Sequence, residues 1–149
     1  MVANPRVTGF LGRALRHELG AVQQYLTQAS LCALQGREQD AGYFRREAAE
    51  ELGHAERIIR RMLLLGLAPN ATQLDAVRPG RDLVDMLERD RELELDAVRL
   101  YDEAQRVSVL LRDAESGRLF AELRADEEGH LAEIEGRLAA CLEHGGQHG

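Results

Sequence analysis

Apolar residues recur at steps of three and four through four long segments of the 149-residue chain, the spacing that lines one face of a helix. The pattern predicts helices over residues 5–33, 38–65, 82–111 and 114–142. Pro5 suits a first helical turn, Gly36 and Gly66 fall just past helix ends, and Pro69 blocks continuation of the second helix. Residues 66–81, GLAPNATQLDAVRPGR, carry no helical period. At about 3.3 Å per residue this link can reach roughly 50 Å, against roughly 42 Å for the helix before it. It can therefore run the length of a bundle and start the third helix at the far end, parallel to the second. Two short turns and one long crossover between the second and third helices give an all-α, antiparallel four-helix bundle. We read a single domain over 1–149, closing in a short flexible tail at 145–149. No internal repeat of clean period is evident, although the second and fourth segments share a local motif.

The inward stripes are the informative part. In the first helix the stripe is Leu11, Leu15, Glu18, Val22, Tyr25, Ala29 and Cys32, and in the third Leu83, Leu87, Asp90, Glu94, Ala97, Tyr101 and Ala104. The second offers Phe44, Ala48, Glu51, Ala55, Ile58, Met62 and Leu65 with His54 beside Glu51. The fourth offers Phe120, Leu123, Glu127, His130, Ile134 and Cys141. Each helix thus places an acid near the middle of its core face, and two of them add a histidine three residues on. Carboxylates gathered away from water repel one another and lose hydration, so they require compensating positive charge. Two divalent cations supply it, each Glu-x-x-His pair giving one bridging oxygen and one terminal nitrogen. One such pair in a Glu-rich chain is weak evidence; two of them, joined by Glu18 and Glu94, are not.

Donor chemistry narrows the metal. Oxygen-rich sites with one imidazole per ion and no thiolate suit iron or manganese better than structural zinc, and we take two iron ions. A ferrous pair can pass two electrons to dioxygen or peroxide. Glu50 and Asp126, each preceding a motif acid, are candidates to hold the outer histidine nitrogens across the bundle; the alternative is a solvated helix flank. Tyr25, two turns beyond Glu18, is either an electron or hydrogen-bond donor or a plain core tyrosine.

Composition excludes more than it selects. Three Phe, three Tyr and no Trp suit helix packing better than a β-sandwich. The formal net charge is −7, and arginines are interleaved with acids rather than gathered, which argues against nucleic acid as a partner. The opening MVANPRVTGFLGRAL has no signal-like apolar run and no segment is long enough to span a bilayer, so a cytoplasmic location without membrane contact is expected. Cys32 and Cys141 lack metal-site or redox spacing and are expected to be small hydrophobes. A bridge between them is the minor alternative.

HELGAVQQY, EELGHAERI, DMLERDRELELDA and ADEEGH, across residues 11–142, resemble the bacterioferritins, the haem-containing branch of the ferritin-like proteins. The resemblance implies that Glu18 and His54 are terminal ligands of one iron and Glu94 and His130 of the other, with Glu51 and Glu127 bridging. It implies ferroxidase activity and storage of ferric mineral in a cage of 24 subunits. Three departures matter. Leu52 stands where the family carries its haem-ligating methionine, so haem is not expected from this chain alone, and a mixed cage with a haem-bearing subunit is an alternative to a homo-oligomer. Arg46 replaces a histidine that in some members serves an inner-wall iron site. The GGQHG ending stands where a short fifth helix usually follows. Other readings are a small rubrerythrin-like peroxidase, disfavoured by the absence of a CxxC…CxxC site, and a structural cage subunit.

Overall fold

The computed structural model describes residues 3–71 and 73–146, with side chains as far as residue 143. Its elements are α1 (Pro5–Leu34), α2 (Glu38–Leu64), α3 (Leu83–Leu110) and α4 (Ala114–Gly146), with no strand among the described residues. At the start of α1 the Asn4 side chain accepts from the Arg6 N–H at 2.9 Å, and Pro5 occupies the first turn. Asp82 caps α3 in the same manner, accepting from the Asp85 N–H at 2.8 Å.

α1 and α2 end on left-handed glycines, Gly36 at φ 75 and Gly66 at φ 77. In each case the next N–H turns back to a last-turn carbonyl: Arg37 to Cys32 at 2.8 Å and Leu67 to Met62 at 2.9 Å. The α3–α4 turn has the same form, with Asp113 N–H on the Ser108 carbonyl, but its left-handed residue is Arg112 at φ 62. α4 continues to Gly146, so its end takes in positions read as tail. Residues 147–149, and the fifth-helix expectation attached to them, lie outside the described residues.

Pairings across the bundle fix its directions. Glu18 faces Tyr101 and Tyr25 faces Glu94, which makes α1 and α3 antiparallel; Glu50 faces His130 and Asp126 faces His54, which does the same for α2 and α4. With two short hairpins, this is the ferritin-like connectivity, and residues 66–81 carry the chain to the far end. α1 holds that crossover down. Gln24 and Arg78 exchange two hydrogen bonds, at 2.8 and 3.3 Å, and Gln28 donates to the Pro79 carbonyl at 2.9 Å. Gly80, at φ 105, is pressed against α3 so closely that a Cβ there would lie 2.7 Å from the Met86 nitrogen.

Two apolar clusters flank the middle of the bundle. One includes Phe10, Leu15, Ile58, Tyr101 and Phe120, the other Tyr25, Phe44, Met86, Leu87 and Ile134. The stripes are buried as read with a few shifts: Ala21 rather than Val22 faces the core, and Leu65, Leu83 and Cys141 are only half-buried. Cys32 and Cys141 are free thiols, so the bridge considered between them is not formed. The Cys32 Sγ instead lies 3.9 Å from Met86 Sδ, turned toward α3.

Candidate metal centre

The six acids and imidazoles meet between the two clusters. Glu18, Glu51, Glu94 and Glu127 are at most 1% exposed, and His54 and His130 are each 6% exposed. Their donor atoms form two overlapping sets: Glu18, Glu51, His54 and Glu127 in one, and Glu51, Glu94, Glu127 and His130 in the other, with all atoms of a set within 4.8 Å of one another. Glu51 and Glu127 belong to both.

Free valence distinguishes the shared acids from the others. Glu94 accepts from the Tyr25 hydroxyl at 2.6 Å through Oε1, and Glu18 accepts from Tyr101 through Oε1. That leaves one unpaired oxygen on each, Oε2. Both oxygens of Glu51 and of Glu127 are unpaired, as is Nδ1 of either histidine. His54 Nδ1 lies 2.7 Å from Glu127 Oε1, and His130 Nδ1 lies 2.8 Å from Glu51 Oε1, yet neither contact has the direction of a hydrogen bond. Eight buried polar atoms therefore face one another without partners, whereas buried polar atoms in folded proteins are normally satisfied. Their chemistry fits hard or borderline divalent cations.

Protonation in the metal-free chain has the same meaning. Burial alone lowers an imidazole, but the facing Glu127 and Glu18 outweigh it and hold His54 at about 10. His130 is held at about 9, where Glu127 again outweighs burial. Burial, then Glu18 and Glu127, raise Glu51 well above the carboxylate range. Burial works in the same direction on Glu127, but the two imidazoles outweigh it and draw that acid down to about 2. Protons here supply the positive charge that the carboxylates demand.

The outer nitrogens are fixed as the sequence suggested. His54 Nε2 meets Asp126 Oδ2 at 3.0 Å, and His130 Nε2 meets Glu50, each pair crossing from α2 to α4. Both acids are more than half exposed. Together with Gly53, Gly129 and the two histidines they line an open surface groove. Leu52, 55% exposed, takes no part in this centre, and Arg46 is exposed.

Two participants escaped the sequence reading. Tyr101 was legible only as a core aromatic, although it follows Glu94 at the spacing by which Tyr25 follows Glu18. Glu47, buried one turn before Glu51, brings its Oε2 to 3.7 Å from His130 Nδ1. The repeat missing from the sequence pattern is present in the centre. Glu18 and Glu94, Tyr25 and Tyr101, Phe44 and Phe120, Glu51 and Glu127, and His54 and His130 are all separated by the same offset in residue number. Even the ring stacking repeats: Tyr25 on Phe44 with centroids 6.4 Å apart and Tyr101 on Phe120 at 6.1 Å, both at 25°.

A four-helix bundle with a long crossover and a buried carboxylate–imidazole centre is the arrangement of the ferritin-like domain, and residues 9–141 match that family. Relatives include a bacterioferritin of Rhodobacter capsulatus, 38% identical over 93% of this chain and 86% of the relative. Others come from Brucella melitensis, at 37% over 93% and 86%, and Streptomyces coelicolor, at 36% over 93% and 83%. A solved structure of the Rhodobacter capsulatus bacterioferritin, described with a metal-free dinuclear site and a haem iron on a crystallographic special position, superposes with a TM-score of 0.91. It is 38% identical, and the match covers 94% of this chain and 88% of that one. The chain belongs to the ferritin-like family and, within it, to the bacterioferritins. No helix among the described residues is long and apolar enough to cross a membrane.

Proposed function

We infer that this chain is an iron-storage subunit that oxidises Fe(II) to Fe(III) at the six-residue centre and contributes to a multi-subunit cage, of 24 copies by likeness to its family, in the cytoplasm. The observation that carries the reading is the convergence of eight unpaired buried donor atoms in two overlapping sets. Iron is the substrate. Two ferrous ions held side by side can give up one electron each to a single oxidant, dioxygen or peroxide.

The residues divide the work. Glu18 with His54 and Glu94 with His130 would hold the separate ends, and Glu51 and Glu127 the middle. Asp126 and Glu50 fix the imidazoles so that Nδ1 points inward. Tyr25 holds one oxygen of Glu94 and turns the other toward the cation. Burial of the acids excludes water that would otherwise screen them. The groove lined by Gly53, Gly129, Glu50, Asp126 and the two histidines would offer a path for a hydrated cation to the imidazoles.

Leu52 has no lone pair to offer, so haem ligation through this position is not part of the proposal, and haem would come from a partner subunit in a mixed cage. The test is to purify the chain, add ferrous iron in air, and follow ferric absorbance together with particle size. Rapid ferric formation in a particle of several hundred kilodaltons, lost in Glu18→Ala and in His130→Ala, is the expected result. A small particle that turns over peroxide without accumulating ferric mineral would overturn it.

A further inference from the structure

Glu18 and Glu94 stand in equivalent positions, and each is held by one tyrosine from the opposite helix. Tyr25 on α1 reaches Glu94 on α3, and Tyr101 on α3 reaches Glu18 on α1. Both tyrosines are fully buried and stack on equivalent phenylalanines, so each hydroxyl has little freedom to turn elsewhere. The consequence for the acids is equal too: Oε1 is occupied and Oε2 is free. Beyond this pair the two ends differ. Each tyrosine sits in one of the two apolar clusters, but Asp90 and Glu47 act on Tyr25 as charges in addition, and no such pair from outside the centre acts on Tyr101 among Leu15, Ile58 and Leu123. Among the described residues Tyr101 is the one side chain that donates a hydrogen bond to Glu18, and His54 Nδ1 approaches the same oxygen only to 3.6 Å.

We propose that Tyr101 is a positioning residue for the cation bound by Glu18 and His54, holding one oxygen of Glu18 so that the other is presented singly to the ion. Rotation of an unheld carboxylate would cost binding at that end, because a buried ligand must be ordered before it coordinates. The proposal rests on the two-cation reading above and assigns a cause to the matching of its two ends.

Co(II) titration of the full chain, followed by visible absorbance and calorimetry, reads binding without oxidation. The unmutated chain is expected to take up two ions. Tyr101→Phe keeps the ring and removes the hydroxyl; it is expected to weaken one binding event by about tenfold and leave the other unchanged. Tyr25→Phe is expected to weaken the complementary event, and the double variant both. In a Glu18→Gln background, Tyr101→Phe is expected to have no further effect beyond about twofold, since the hydroxyl acts through that carboxylate. A tyrosine ultraviolet difference signal on Co(II) addition, expected to persist in Tyr25→Phe, checks the same contact with Tyr101 intact.

Two-ion uptake by the unmutated chain with both affinities unchanged in Tyr101→Phe would overturn the role of Tyr101 alone. Equal weakening of both events, or a loss of metal-free stability with cobalt binding intact, would overturn it as well by making the residue a packing element. Failure of the unmutated chain to bind a second Co(II) would overturn the two-cation reading, and this proposal with it.

Discussion

His54 Nε2 and Asp126 Oδ2 stand 3.0 Å apart across the α2–α4 interface, and His130 with Glu50 repeats the pairing in the opposite sense. Neither acid belongs to the two overlapping buried donor sets, yet each pairs with the outer nitrogen of an imidazole and so turns the other toward the centre. Asp126→Asn is expected to weaken the ion at the His54 end by about tenfold or more, and Glu50→Gln the ion at the His130 end. Calorimetric titration with Zn(II) checks both. Unchanged affinities would mean that ring packing alone orients the histidines.

Metal uptake should expel protons. His54 at about 10 and His130 at about 9 hold protons at neutral pH in the metal-free chain, Glu51 is shifted upward by burial and its neighbours, and a coordinating nitrogen or oxygen must be free of protons. Affinity is therefore expected to fall as pH falls, by about tenfold per unit for each proton displaced. A weakly buffered chain mixed anaerobically with Zn(II) should acidify its solution, and the drop read with an indicator dye gives the number released.

Asp90 offers a separate test of the crossover end. Burial raises its carboxyl to about 8, and hydrogen bonds from Gln28 and Gln24 oppose this without cancelling it. The folded value lies above the unfolded one, so the contribution to stability is full below about pH 4 and declines as pH rises through about 8. Asp90→Asn keeps an acceptor for Gln28 and cannot ionise. It should melt close to the unmutated chain at pH 5 and higher at pH 8.5, by on the order of 2 kcal/mol or about 6 °C. Thermal melts of the metal-free proteins at the two pH values decide it.

Arg112 occupies the left-handed place that Gly36 and Gly66 fill at the ends of α1 and α2. A side chain in that conformation costs about 1 kcal/mol. Arg112→Gly is expected to raise stability by roughly that amount less the extra freedom glycine gains on unfolding, a net of about 0.5 kcal/mol. Denaturant titration should show a higher midpoint with an unchanged slope.

How far the centre could be read in advance follows from where each residue's signal lies. Glu51 with His54 and Glu127 with His130 announce themselves on single helices, because three residues of spacing puts donors on one face. Glu18 and Glu94 are visible as charges interrupting apolar stripes. Glu50 and Asp126 are visible as acids next to candidate ligands. Tyr101 is different: in its own helix it is one more apolar-stripe aromatic, and its meaning arises only when α1 and α3 are set antiparallel and Glu18 arrives opposite. Glu47 was missed because a residue on the edge of a stripe reads as solvated flank until the neighbouring helix covers it. The repeat was hidden for a related reason. Equivalent residues at the centre are surrounded by unlike ones, such as Glu47 matched by Leu123 and Asp90 by Ala14, so overall similarity between the halves is low.

Sharing of Glu51 and Glu127 has a mechanical consequence. On the proposed reading the α1–α2 hairpin would supply Glu18, Glu51 and His54 to one cation and Glu51 to the other as well, and the α3–α4 hairpin would do the reverse with Glu127. Either ion, alone, would clasp both halves of the molecule. Filling the centre would therefore stitch the two hairpins at mid-height, and emptying it would relax the seam between them while leaving each hairpin's own packing in place.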